Sequence, residues 1–102
     1  MMHFAVEEWP SEDFVHAFTK ALGKMTEKNG IRVNAVAPGP VWTPLIPSTY
    51  APEKVPELGK NTAFGRPAQP AEIAPAYVFL ASDDARYMTA EVIGVTGGRM
   101  PF

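Results

Sequence analysis

The sequence predicts an α/β fold built around a parallel β-α-β unit, and three observations predict it. Two short, mostly apolar runs with β-branched residues, 31–37 and 91–96, are each bounded by glycine or Pro-Gly punctuation on the side where the chain must turn. Between them lies a segment of helical period that opens on Pro70. Two strands joined through a crossover helix run parallel in nearly all cases.

The first element is a helix over 11–28. Ser11 is a good N-cap residue, and Glu12 and Asp13 suit the positive end of the helix dipole. Phe14, Phe18, Leu22 and Met25 recur at intervals of 4, 4 and 3, which marks them as one apolar face. Lys24 and Lys28 suit the C-terminal end, and Asn29-Gly30 supplies a left-handed stop. The run 31–37 then reads as a strand buried on both faces. Residues 38–70 hold eight of the eleven prolines, so a long loop is expected, with a short helix after Pro52.

The second helix begins at Pro70 with Glu72 in its first turn. Ile73, Tyr77 and Leu80 form its buried face, widened by Val78 and Phe79, while Pro75 removes one backbone donor and bends the first turns. Ser82-Asp83-Asp84 ends the helix as a turn. Strand 91–96 follows and is closed by Gly97-Gly98.

The 102 residues allow one domain. An apolar content of 46% is that of a globular chain. A net charge of −2 with mixed signs gives no basic patch for nucleic acid. No apolar run reaches the roughly 18 residues of a membrane span, and residues 1–10 lack a signal-peptide pattern. There are no cysteines, hence no disulfide framework and no thiolate zinc site, which fits a cytoplasmic location. His3 and His16 have no ligands at metal spacing, so no metal site is expected; His16 is expected on an exposed helix face. Trp9 and Trp42 are read as packing residues. Arg32 and Arg66 are candidates for pairing with acids, of small energetic weight if exposed.

The segment AFTKALGKMTEKNGIRVNAVAPGPVWTPL, followed by Gly65-Arg66-Pro67-Ala68-Gln69-Pro70-Ala71-Glu72-Ile73-Ala74, Phe79-Leu80-Ala81-Ser82 and Val95-Thr96-Gly97-Gly98, resembles the short-chain dehydrogenase/reductase family. The blocks stand in family order and spacing over about residues 14–98. The wording is nearest the bacterial small alcohol and sugar dehydrogenases. The resemblance implies the C-terminal portion of a Rossmann-like doubly wound fold: an irregular segment 1–10, a partial domain 11–98 and a tail 99–102.

The resemblance also implies a loop against the nicotinamide end of NAD or NADP. Pro38 and Gly39 would shape its turn, the Val41 backbone would meet the carboxamide, and the Thr43 hydroxyl would lie near the nicotinamide or diphosphate. Glycine at 39 lets backbone approach a flat ring, and an amide offers both a donor and an acceptor.

Other family features are absent. No Gly-x-x-x-Gly-x-Gly or Gly-x-Gly-x-x-Gly loop occurs, nor do the family's first five strands or its catalytic serine. The tyrosine and lysine positions of the family's Tyr-x-x-x-Lys pair are Glu8 and Glu12. Two carboxylates cannot replace a phenol whose pKa is lowered by an ammonium. Tyr50-Ala-Pro-Glu-Lys54 matches that pattern as text only; it falls in the segment that covers substrate in the family. No catalytic residue is therefore assigned, and cofactor binding by this chain alone is not expected.

The expectation is a truncated relative of NAD(P)-dependent short-chain oxidoreductases without independent activity. The departure over residues 1–12 fits a natural rearrangement better than a clean cut. Exposed strand edges and a small buried core favour self-association, and in the family the helix matched by 11–28, the last strand and the last helix lie at subunit interfaces. A homodimer or higher oligomer is expected, with the first helix packed on its mate. The alternatives are docking on a full-length relative, or a half-enzyme active in carbonyl/alcohol hydride transfer only with a complementing chain.

Overall fold

The computed structural model describes residues 12–98, so the Ser11 cap, the 1–10 segment with His3, Glu8 and Trp9, and the 99–102 tail lie outside the described residues. Helix α1 (Glu12–Thr26) runs on as a 3-10 turn to Asn29, where Gly30 at φ 73° ends it. Strand β1 (Ala35–Pro38) follows, then the short helix α2 (Leu45–Thr49), a 3-10 helix Pro52–Glu57, helix α3 (Pro70–Ala81) and strand β2 (Val92–Val95). The two strands pair in parallel, Ala35 opposite Val92 through Pro38 opposite Val95. The expected β-α-β unit is therefore present.

The strand alternation builds two cores. On the α3 side, Val36 packs with Ile73, Leu80 and Ala85, supported by Tyr77, Ile93 and Val95. Leu80 is fully buried, and truncating such a side chain to alanine costs about 2–5 kcal/mol. On the α1 side, Val15 packs on Ala35, Ala37 and Val92. Burial of 33–37 agrees with a strand covered on both faces, although ladder pairing starts only at Ala35.

Helix α1 is rotated from the expected face. Val15, Thr19 and Gly23 face inward, Leu22 is half-buried, and Phe14 (50% exposed), Phe18 and Met25 (68% exposed) lie outside. The physical reason is close approach. A Cβ at Gly23 would lie 2.9 Å from the Ala90 Cβ, so the small face, not the bulky one, fits against the β2 approach. Phe14 and Phe18 stack with ring centroids 6.0 Å apart. His16 is half-buried rather than exposed.

Helix α3 matches its expected span, and Ile73 and Leu80 are buried with Tyr77 partly so. Val78 and Phe79 do not widen the buried face; both are exposed, because the sheet reaches only one side of the helix. Pro70 sits in the first turn, and the Gln69 N–H donates to Glu72 Oε1 at 2.8 Å. Helix α2 was not expected, since Pro44 precedes it, Pro47 lies within it and Pro52 follows. Its short length is supported by the Ser48 hydroxyl donating to the Leu45 carbonyl at 3.0 Å and the Thr49 hydroxyl to the same carbonyl at 2.6 Å.

Arg32 pairs with no acid among the described residues. Its guanidinium donates to the carbonyls of Ala85 at 2.8 Å, Leu80 at 3.1 Å, and Ser82 and Met88 at 3.3 Å. The Leu80 carbonyl is one that the end of α3 leaves without a backbone donor. Buried Asn34 donates from Nδ2 to the Met88 carbonyl at 3.1 Å and accepts the Glu91 N–H on Oδ1 at 3.2 Å. Val33 N–H donates to the Thr89 hydroxyl at 3.1 Å, and the Ala90 N–H donates to the Val33 carbonyl at 2.6 Å. Ala90 is thereby held at φ 61°, an uncommon conformation for a residue with a side chain.

Replacing Arg32 with alanine leaves several carbonyls without a charged donor and is expected to cost roughly 2–4 kcal/mol in urea unfolding. Thr19→Val should do the opposite. The Thr19 hydroxyl is buried without a hydrogen-bond partner, so the same measurement should show stability unchanged or raised by up to about 1 kcal/mol.

Candidate cofactor-loop site

The loop leaving β1 is shaped by contacts that only small residues permit. Gly39 donates to the Val95 carbonyl at 2.9 Å, and a Cβ at this position would lie 2.8 Å from the Thr96 carbonyl oxygen. The ends of both strands can therefore lie against one another. The chain then forms a second parallel bridge, Val41 with Ala68. Ala68 N–H donates to the Pro40 carbonyl at 2.9 Å and Trp42 N–H to the Ala68 carbonyl at 2.8 Å.

Because Pro40 and Trp42 supply the groups that meet Ala68, the Val41 N–H and C=O are directed away from that bridge. Neither has a hydrogen-bond partner among the described residues. The Val41 side chain is buried in the α3-side core, which fixes the orientation of the amide. Thr43 accepts the Ile46 N–H at 3.0 Å and so starts α2.

A cavity of about 360 Å³ opens beside this loop. Val41 and Thr43 line it, whereas Pro38 and Gly39 do not; they form the turn behind it. Leu45 and Ile46 of α2, and Leu58 from beyond the 3-10 helix, complete its apolar wall, with Tyr50 at the edge. Sequence reasoning missed Leu45, Ile46 and Leu58. The only local signal was the Ser48-Thr49 pair, whose hydroxyls cap carbonyls one turn back. A more open basin of about 560 Å³ shares Pro40, Tyr50 and Leu58 and adds Lys54, Glu57 and Asn61. Tyr50 and Lys54 thus lie together on the α2 side, away from α1, where the family's pair would stand.

The site is braced from the β2 side. The Phe64 N–H donates to the Gly97 carbonyl at 3.2 Å, and Thr62 donates its hydroxyl to the Gly59 carbonyl at 2.8 Å. Gly59, at φ 80°, must be glycine, since a Cβ there would overlap the Arg66–Pro67 peptide. Arg66 pairs with Glu72 as expected, and it does so with both nitrogens, at 2.8 and 2.9 Å. Arg66, and next the Gln69 N–H, hold the Glu72 carboxyl at about 2, below its ordinary 4.5. Asp83 and Asp84 form the turn after α3, as expected. Among the described residues, no group of three or more acidic or histidine side chains is placed to hold a metal, and no helix is long and apolar enough to cross a membrane.

A parallel β-α-β unit with a cavity at the carboxyl ends of its strands defines the doubly wound α/β class, in which ligands bind at that end. The family model described as enoyl-(acyl carrier protein) reductase matches residues 11–99. The chain is 56% identical over 82 residues to a glucose and ribitol dehydrogenase homolog of Oryza sativa, covering 80% of this chain and 27% of that protein. It is 58% identical over 83 residues to the uncharacterized oxidoreductase YhdF of Bacillus subtilis, covering 81% and 29%. Among solved structures, a 3-oxoacyl-[acyl-carrier protein] reductase from Brucella melitensis superposes with a TM-score of 0.74 at 37% identity, over 84% of this chain and 32% of that one. A second such reductase from Brucella melitensis, with bound NAD, gives a TM-score of 0.71 at 36% identity, over 84% and 30%. The chain belongs to the short-chain dehydrogenase/reductase family and spans under a third of the length of these relatives.

The depressed carboxyl of Glu72 gives a pH test. Its contribution to stability is complete above the ordinary 4.5 and is lost as pH falls from there through about 2. Glu72→Gln is expected to flatten that part of a urea-midpoint against pH profile and leave its shape near neutrality unchanged.

Proposed function

We propose that this chain carries the nicotinamide-side loop of a short-chain oxidoreductase and has no oxidoreductase activity on its own. The observation that carries the reading is the Val41 amide. A donor and an acceptor, fixed by the Ala68 bridge, face away from the fold at the edge of a cavity. That pair fits a carboxamide, and Thr43 adds a hydroxyl beside it. NADH or NADPH, when bound, would supply a hydride to a carbonyl, and NAD or NADP would accept one from an alcohol. Pro38 and Gly39 act one step behind, by setting the turn that presents Val41. The fit is to one end of the cofactor only. No glycine-rich loop for a diphosphate occurs in the sequence, and glutamates stand at positions 8 and 12, where the family has tyrosine and lysine.

The relatives' names point to two substrate classes, sugars or polyols and 3-oxoacyl groups. The chain also self-associates in this reading, as a homodimer or higher oligomer. Phe14, Phe18 and Met25 on α1, and Val78 on α3, expose apolar surface on opposite sides of a two-stranded sheet. A second reading, in which a complementing chain or a longer relative completes the enzyme, is favoured by the likeness to an NAD-bound reductase of which this chain spans only 30%. A cytoplasmic location fits the lack of cysteines.

In calorimetric titration the isolated chain is expected to bind neither NADH nor NADPH more tightly than about 1 mM, roughly −4 kcal/mol. Tighter binding contradicts the reading. Light scattering behind a sizing column should show a dimer or larger; a clean monomer at roughly tens of micromolar removes the self-association part. Capture of a longer relative by the chain, with hydride-transfer activity appearing only in the mixture, would favour the second reading.

A further inference from the structure

We propose that the cavity beside Val41, taken as the substrate side of the site proposed above, receives the aliphatic or aromatic portion of an uncharged carbonyl or alcohol, and not a sugar or polyol. Its size, about 360 Å³, is that of a small-ligand site. The side chains of Leu45, Ile46 and Leu58 present only hydrocarbon to it, and two prolines extend that surface. Among the described residues no charged side chain lines it. The polar side chains on its wall are those of Thr43 and Tyr50.

A sugar or linear polyol carries a hydroxyl on nearly every carbon. Each one that enters must leave water and find a partner, and a polar group buried without one is penalised. Two side-chain hydroxyls, beside an amide already assigned to the carboxamide, cannot serve them all. An alkyl or aryl group gives up no hydrogen bonds on entering and removes apolar surface from water on both sides. The same few polar groups are enough to orient a single carbonyl or alcohol oxygen. The neighbouring basin differs in chemistry. Lys54, Glu57 and Asn61 line it across the shared wall of Pro40, Tyr50 and Leu58, so a polar end of the ligand has a place outside the apolar pocket.

The test needs no cofactor. The full 102-residue chain, labelled at its methyl groups, is titrated with methyl hexyl ketone and separately with ribitol while NMR follows Leu45, Ile46 and Leu58. The ketone is expected to shift these methyls saturably, with a dissociation constant at least about tenfold below that of ribitol. Leu45, half-exposed at the rim, can be changed without opening the core. Leu45→Glu should weaken ketone binding at least about tenfold, Leu45→Met should retain it, and Phe64→Ala, outside this cavity, should leave it unchanged. Ribitol acting at equal or lower concentration overturns the proposal. So does a ketone without saturable effect, or shifts that spread equally to Val78. Nucleotide titration reports separately: tight NADH binding would overturn the absence of independent cofactor binding and leave the pocket assignment standing.

Discussion

Arg32 places one guanidinium against the carbonyls of Leu80, Ser82, Ala85 and Met88, and the rest of the structure depends on that placement. The chain from the end of α3 to β2 has to end a helix, make a 3-10 turn and reverse within ten residues, which brings the carbonyls of Leu80, Ser82, Ala85 and Met88 to one place. A planar fork with five N–H groups, carried on the residue two before buried Asn34, collects them. Asn34 then fixes both sides of the turn at Met88 and Glu91. The parallel register of β1 on β2 follows, because both clamps connect the start of β1 to the residues just before β2.

That register positions the site. With Ala35 opposite Val92, Gly39 meets Thr96, and the chain crosses from β1 to the α3 side within three residues. The crossing is held by Ala68 through the groups of Pro40 and Trp42, so the unused donor and acceptor fall on Val41. Arg66 and Glu72 hold Ala68 in place from the start of α3 with a bidentate pair, exposed and so of small weight for global stability. Its use is local: it fixes the strand of chain that presents Ala68, while the Gln69 N–H adds a second bond to the same carboxylate.

Much of this was legible in the sequence, and what was not has physical causes. The spans of α1 and α3, the strand order and the Pro38–Thr43 loop follow from periodicity and glycine/proline punctuation. The facing of α1 did not. Phe14, Phe18, Leu22 and Met25 have ideal spacing, but spacing reports which residues share a face and not which face meets the sheet. Gly23 decided that, through its closeness to Ala90. The same limit applies to Val78 and Phe79, since α3 is apolar nearly all round. Helix α2 was hidden because prolines mask a five-residue helix, to which the Ser48 and Thr49 hydroxyls add bonds to the Leu45 carbonyl. Arg32 was read as a partner for acids because one sequence shows charges and not which carbonyls the fold gathers around them.

Electrostatic catalysis needs more than the right groups; it needs them enclosed. A donor and an acceptor such as those of Val41 strengthen greatly only where water is excluded and the dielectric is low. Here the amide is well oriented, but the cavity beside it is walled from one side by α2 and the residues around Leu58, and its neighbour is broader and more open. Water competes for both groups. Even a cofactor brought to this loop would meet a contact worth little more than the one it gives up in solvent. The one-sided wall is thus a second ground, besides Glu8 and Glu12, for the function proposed above. A tyrosine and a lysine at those positions would not by themselves enclose the site, because the described residues wall the cavity from one side.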